Sequence, residues 1–361
     1  MRFEYEGIKQ AARRIFEAQP FTPKEAADIT DVLLTSDLFG IESHGIQRLQ
    51  MYVNFIDENA IKLKNRPELI SETPLSALID CHEYMGQVAG IRATEMAIDK
   101  AKRHGMSIVC VRMSNHFGIA GYYARKMALE GLVGVCMTNS EAIMVPTFGR
   151  HAMIGTNPIA VAMPAEPYPF FFDAATTVVP RGKLEVYIKN DKPIPDGWGV
   201  DGDGKVTADP KTVENCIKTK RGGGILPLGG AGETYGGHKG YGLGMVVELF
   251  TGILSGGFTG DIVRSIPKTE GSCQTYMAID YGMFGDKKAI EKSFSDYLTR
   301  IRESDKADGE TRIYTHGEKE MLAYDDRMAN GLVLNEKTAG EVKNLCVRYG
   351  LDPGEYMFRK D

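Results

Sequence analysis

The chain has 361 residues, 43 % apolar and 25 % charged, the composition of a soluble globular protein with room for two or three domains or one large interwoven α/β unit. A net charge of −5 and a pI near 5.9, with no basic stripe, exclude a phosphate-neutralising nucleic-acid surface. No apolar run approaches the roughly 18 residues of a membrane span, and the acidic start 1–6 lacks a secretory apolar core, so a cytoplasmic protein without membrane contact is expected.

The first strong signal is a helix over 22–36. Thr22 can cap it, Pro23 suits its first turn, and Glu25 completes a capping box. Ala26, Ile29, Val32 and Leu33 recur at helical spacing. Phe39-Gly40-Ile41 interrupts, and Ser43-His44-Gly45-Ile46-Gln47-Arg48 follows. If this stretch is helical, His44 and Arg48 stand four apart on one face. A guanidinium matches a carboxylate with a planar fork. An imidazole titrates near neutrality and can carry a proton. One face would then hold an acid group and move a proton beside it. The bland alternative is a helix end whose polar residues face water. A further amphipathic helix runs over 49–56.

From residue 75 the pattern turns to strands and helices. A short strand over 76–80 precedes a helix over 87–104 closed by Gly105, then a buried strand over 107–111. The polar turn Ser114-Asn115-His116-Phe117-Gly118 leads into a helix over 119–130 and a strand over 132–137, the order of a crossover unit. His116 thus follows a strand and precedes a helix, where α/β proteins place ligand-contacting groups. The other option is a loop histidine satisfying a backbone carbonyl. Thr138-Asn139-Ser140 again puts polar groups after a strand. Six cysteines, at 81, 110, 136, 216, 273 and 346, include no Cys-x-x-Cys pair, so no disulfide framework and no zinc site are read.

Residues 155–158 form a turn between apolar runs, and Asp173 emerges from Phe170-Phe171-Phe172 into small residues. Asp173 can accept from a ribose or amide, or cap a helix. The loop-like 189–211 contains Gly197-Trp198-Gly199-Val200-Asp201-Gly202, a formal GxGxxG. It neither follows an apolar strand nor opens a helix, so it is rejected as a dinucleotide fingerprint. Gly236-Gly237-His238-Lys239-Gly240-Tyr241-Gly242 leads into a helix over 243–254. Backbone amides at a helix start favour anions, and Lys239 adds a point charge; a glycine-rich packing turn is the alternative. A late strand over 277–280, a helix over 294–302, a turn at 313–320 into an acidic helix start, and a closing helix over 338–349 complete the chain.

Six stretches in order, SHGIQR at 43–48, SNHFGIAGYYA at 114–124, GTNPIAVAMP at 155–164, FDAATT at 172–177, GHKGYGL at 237–243 and HGEKE at 316–320, resemble the malate/L-lactate dehydrogenase family of the non-Rossmann type. Sulfolactate, ureidoglycolate and diketogulonate oxidoreductases and cyclic-imine carboxylate reductases belong to it. The resemblance covers almost the whole chain. It implies an α/β fold with a large mixed sheet flanked by helices, the L-sulfolactate dehydrogenase-like fold. It implies a helical substrate and dimerisation domain over 1–115 with 285–361, a nicotinamide-binding domain over 116–284, and a homodimer.

The implied reaction moves a hydride between NAD or NADP, with NAD preferred, and a small 2-hydroxy or 2-oxo acid. By resemblance, His44 and His116 fall on the proton-transfer histidines, and Arg48 grips the substrate carboxylate with Ser43 beside it. Ser140, Asp173, Ala174, Ala175, His238, Lys239, Gly240, Gly317 and Glu318 fall on cofactor-contacting segments. Two departures lie on that side. The family commonly has Met-Ala-Thr-Ser where Ala174-Ala175-Thr176-Thr177 stands, and Pro-Gly-Glu-Arg where His316-Gly317-Glu318-Lys319 stands. Both leave the choice between NAD and NADP open. His44 is the preferred proton carrier, because it stands close to Arg48. The alternatives are a cyclic-imine carboxylate reductase on the same fold, a metal-dependent hydrolase with His44, His116 and His238 as ligands, and a non-catalytic binding protein.

Overall fold

The computed structural model describes residues 1–360. The strand β1 (Arg2–Phe3) and helices α1 (Tyr5–Glu17), α2 (Pro23–Leu38) and α3 (Leu49–Asp57) open the chain. α2 starts on the expected capping box. Thr22 Oγ1 accepts the Glu25 N–H at 3.2 Å, and Glu25 Oε2 accepts the Thr22 N–H at 2.8 Å. Its inner face buries Ile29, Leu33 and, one turn on, Asp37.

The stretch 43–48 is not one helix. Two single 3-10 turns, Glu42–His44 and Ile46–Arg48, are broken at Gly45, whose backbone is extended at φ −87° and ψ −150°. The reason is a close approach: a Cβ on Gly45 would lie 2.1 Å from Asp37 Oδ1. Packing against a buried carboxyl therefore overrides helix continuation.

The main sheet follows from β2 (Glu68–Glu72), β3 (Ser76–Asp80), β4 (Met106–Ser114), β5 (Val133–Thr138), β6 (Ile159–Met163) and β7 (Phe170–Ala174), with α4 (Gly86–His104) and α5 (Ala120–Leu129) between strands. A smaller unit carries α6 (Arg181–Lys189), β8 (Gly199–Val200), α7 (Pro210–Thr219) and β9 (Gly224–Ile225) around Leu184, Val213 and Ile225. Then come α8 (Gly237–Glu248), β10 (Ser272–Ile279), α9 (Lys287–Glu303), α10 (Glu318–Asn330), β11 (Leu332–Val333) and α11 (Glu336–Arg348). The sheet order is β2-β3-β4-β10-β5-β6-β7. β3 and β4 pair in parallel, while β10 pairs antiparallel with both β4 and β5. This is a mixed sheet, not a doubly wound parallel one, as expected.

The expected boundary at 115/116 cuts through this sheet. β2 to β4 come from one side of it and β5, β6, β7 and β10 from the other, so the two units share a sheet. One core runs from Phe3 through Leu33, Val109 and Tyr276 to Cys346. α8 also departs from expectation, starting at Gly237 rather than near residue 243. Gly237, Gly240 and Gly244 lie inside the helix where one face has no room for side chains, while Gly242 faces open space. A Cβ on Gly240 would sit 2.1 Å from the Leu228 carbonyl oxygen. Close packing here outweighs the intrinsic cost of glycine in a helix, roughly 1 kcal/mol.

Candidate active site

Asp37 is the floor on which the loop 42–48 is built. It is 2 % exposed, and its Oδ2 accepts the Ile46 N–H at 2.6 Å. Arg327 of α10 joins from the other side, donating to the Asp37 carbonyl and to Glu42 Oε1 at 2.7 Å. Burial pushes the Asp37 carboxyl up to about 8, against the pull of the Ile46 N–H and Arg327. The carboxyl thus fixes the direction in which His44 and Arg48 leave the loop.

Across from this loop, the strand β4 ends at Ser114 and delivers Asn115 and His116. Asn115 is 1 % exposed; its Nδ2 donates to the carbonyls of Glu83 at 2.7 Å and Tyr84 at 3.0 Å. That anchor fixes the residue before His116. The fold then stacks the two histidines, His44 over His116, with ring centroids 5.5 Å apart and planes at 23°. Ser43 Oγ bonds His44 Nδ1 at 2.9 Å. The Arg48 Nε donates to the Ser43 carbonyl at 2.6 Å, and its guanidinium has no carboxylate partner among the described residues. Burial, with Arg48 beside it, lowers His44 to about 4. Burial, then His44, Arg48 and Arg264, hold His116 well below the ordinary histidine value. Both rings are neutral at pH 7, facing a free cation.

Two residues of this cluster were missed in the sequence. Tyr52 of α3 bonds His116 Nδ1 at 2.6 Å. Arg264, with a left-handed backbone at φ 59°, bonds Glu270 at 2.6 Å. Tyr52 stands four residues after Arg48, a signal that could have found it. Nothing in the local sequence marks Arg264.

Several of the residues expected on the cofactor side gather around β7. Ser140 Oγ accepts the Thr156 N–H at 3.1 Å, and Thr176 Oγ1 donates to the Thr156 carbonyl at 3.1 Å, which draws Ser140 to the end of β7. Half-buried Ala174 and Ala175 lie between. α8 runs alongside, since Asn157 Nδ2 donates to the Gly244 carbonyl at 3.1 Å and to Glu248 Oε1 at 2.9 Å. At the start of α8, His238 and Lys239 are exposed, while Gly240 is buried. Lys239 has no ion-pair partner among the described residues.

Asp173 caps a helix: its Oδ2 accepts the Gly121 N–H at 2.7 Å in the first turn of α5, and burial lifts its carboxyl to about 7. Gly317 has φ +101°, and a Cβ there would lie 2.3 Å from the Pro169 carbonyl oxygen. Glu318 is fully buried, its Oε1 paired with Arg312 and its Oε2 accepting the Thr315 N–H at 3.2 Å. The Glu318 carboxylate is thus engaged within the protein, and the exposed side chains of this turn are those of His316 and Lys319 beside it. For a metal, no cluster of three His, Cys, Asp or Glu side chains with suitable geometry exists among the described residues. His44, His116 and His238 form no such cluster, so the hydrolase alternative lacks a ligand set among the described residues.

Residues 3–343 match the family model described as malate/L-lactate dehydrogenase. The chain belongs to this family. It is 43 % identical to a malate dehydrogenase of Pyrococcus abyssi, over 91 % of this chain and 90 % of that one. It is 35 % identical to an L-sulfolactate dehydrogenase of Methanocaldococcus jannaschii, over 93 % and 94 %. The crystal structure of a malate dehydrogenase from Entamoeba histolytica superposes with a TM-score of 0.93 at 33 % identity, covering 97 % and 98 % of the two chains. As a malate/L-lactate dehydrogenase family member, the chain is an oxidoreductase of hydroxy acids, and its mixed sheet is the family's fold. No helix is long and apolar enough to cross a membrane among the described residues.

Proposed function

We propose that the chain is an NAD(P)-dependent 2-hydroxy acid dehydrogenase, with Arg48 as the carboxylate anchor and His44 as the proton carrier. The observation that carries this is the unpaired, half-buried Arg48 guanidinium beside two stacked neutral imidazoles. A substrate carboxylate supplies the missing charge, and its arrival fixes the adjacent carbon near His44. In the oxidation direction, neutral His44 takes the hydroxyl proton. The charge that appears on the ring is tolerated because the bound carboxylate offsets the field of Arg48. Ser43, bonded to His44 Nδ1, orients that ring.

The residues expected to hold a nicotinamide cofactor fit one. The free N–H groups at the start of α8 and the unpaired Lys239 offer an anion site for phosphates. The small Ala174 and Ala175 leave room for a flat group at the end of β7, beside Ser140. When bound, the cofactor supplies hydride chemistry that no side chain offers. NAD is the preferred form. Fluorescence titration with NADH and NADPH, followed by a screen of malate, lactate, sulfolactate, their 2-oxo acids and cyclic imines, tests the proposal. Binding of neither cofactor, or turnover of none of these acids, would sink it.

The outer face of α8 supports a homodimer as the working form. Leu243, Val246, Leu249 and Ile253 are 42 %, 41 %, 48 % and 58 % exposed along one helix and the π-turn that continues it. Such a contiguous apolar strip marks an interface. Sedimentation of the native chain and of Leu249→Glu tests it: a native monomer would overturn it.

A further inference from the structure

We propose that Tyr52, backed by Gln87, holds His116 in the tautomer with its proton on Nε2, which makes His116 a fixed hydrogen-bond donor to the substrate oxygen and leaves proton transfer to His44. This rests on the reading that the stacked histidines and Arg48 meet the substrate, and it deepens that reading by dividing the labour between the two rings.

The Tyr52 hydroxyl is 2.6 Å from His116 Nδ1, and Tyr52 is fully buried. It stands one helical turn after Arg48, the residue that caps the start of α3, so the guanidinium and the group that aims the imidazole leave the chain one turn apart. The Gln87 side chain, also fully buried, faces the same hydroxyl. Neither of its amide atoms has a hydrogen-bond partner in range. That decides the direction of the Tyr52–His116 bond. The phenol has one hydrogen, and burial keeps it on the oxygen. The acceptor in range is His116 Nδ1. If Nδ1 carried its own hydrogen and donated to Tyr52, the phenol hydrogen would be a buried donor with no acceptor, a costly arrangement. The Tyr52 O–H therefore donates to Nδ1 and the imidazole proton sits on Nε2, while Gln87 packs beside the hydroxyl beyond hydrogen-bond range.

The charge around the ring agrees with a neutral donor. Burial, then His44, Arg48 and Arg264, disfavour the His116 imidazolium, and the Glu270 carboxyl acts on Tyr52. A neutral Nε2–H polarises a carbonyl oxygen without giving up its proton. Tyr52 and Gln87 are then positioning residues, since both act through His116.

The test is a long-range ¹H–¹⁵N spectrum of the intact protein labelled at histidine, without ligand at pH 7. His116 is assigned by the resonance lost in His116→Gln. The expected result is the Nε2–H tautomer in the native protein and a mixture of tautomers in Tyr52→Phe. An Nδ1–H tautomer in the native protein, or an unchanged one in Tyr52→Phe, would overturn the proposal. In turnover, Tyr52→Phe is expected to lower kcat about 10–100-fold, the usual effect of removing a group that orients a ligating or reacting histidine, with KM for the acid within about twofold. Gln87→Leu, which keeps ring and hydroxyl, is expected to lose less, and a larger loss there than in Tyr52→Phe would overturn the order of the chain. A thermal melt of each variant checks folding. Native turnover in His116→Gln would reject the site reading itself, while the spectrum still reports on the tautomer.

Discussion

Replacing Gly45 with alanine puts the loop's construction to a direct test. The new Cβ would lie 2.1 Å from Asp37 Oδ1, 2.2 Å from Cγ and 2.4 Å from Oδ2. Non-bonded contacts settle at about 3.5 Å or more, so carboxyl and loop must part by more than about 1 Å. That breaks the 2.6 Å bond from the Ile46 N–H and leaves a buried donor unsatisfied, about 1–3 kcal/mol. Overpacking adds about 1–3 kcal/mol. The expected destabilisation is therefore about 2–6 kcal/mol, read from chemical denaturation. Because His44 and Arg48 flank Gly45, the same displacement should lower kcat/KM by about 10²-fold, the scale of a 1 Å misplacement. Asp37→Ala makes room for the methyl group, so the double variant should be more stable than the sum of the singles, with a coupling of about 0.5–3 kcal/mol. A Gly45→Ala protein with native stability and native turnover would refute the account, as would strictly additive effects with Asp37→Ala.

Arg48→Lys should raise KM for the acid about 10–100-fold with cofactor affinity unchanged, because a point charge replaces a bidentate fork; steady-state kinetics showing an unchanged KM would count against the carboxylate role. His44→Ala should lose turnover by about 10²–10⁴-fold, and native turnover would remove His44 from the chemistry. Since His44 is lowered to about 4, its base form persists well into acid, and kcat/KM for hydroxy acid oxidation should keep its acid limb near pH 4–5; a midpoint at 6.5 would contradict this. Asp37 is raised to about 8, so its stabilising effect is complete below the unfolded-state value near 4 and is lost as pH rises through 8. Melts at pH 5, 7 and 9 should show that loss in the native chain and a flatter profile in Asp37→Asn; equal pH dependence in both would refute it.

What was legible in the sequence was mostly what is local. Thr22, Pro23 and Glu25 make their capping box within one turn, so their pattern was sufficient. The helix expected through Ser43, His44 and Arg48 was not real, because Gly45 answers to Asp37 rather than to its neighbours. Asp37 left a trace: it continues the spacing of Ile29 and Leu33 on a buried face, where a carboxyl is out of place. The start of α8 was misplaced because glycine reads as a turn residue, whereas Gly240 is demanded by the Leu228 carbonyl on another segment. The stacking of His44 on His116 depends on the loop 42–48 meeting the segment after β4, which no local pattern encodes. Asp173 was read as either a ligand contact or a helix cap, and its bond to the Gly121 N–H is the second.

The place of β10 has a consequence for how the chain matures. It pairs on both sides, with β4 and β5, yet it comes more than a hundred residues after either in the sequence. A nascent chain leaving the ribosome therefore carries two open half-sheets, each with an unpaired edge, until residues 272–279 emerge. Such late, long-range closure slows folding and invites self-association, so yield in cell-free translation should depend on chaperones. A helper peptide copying 272–279 would compete for the same slot.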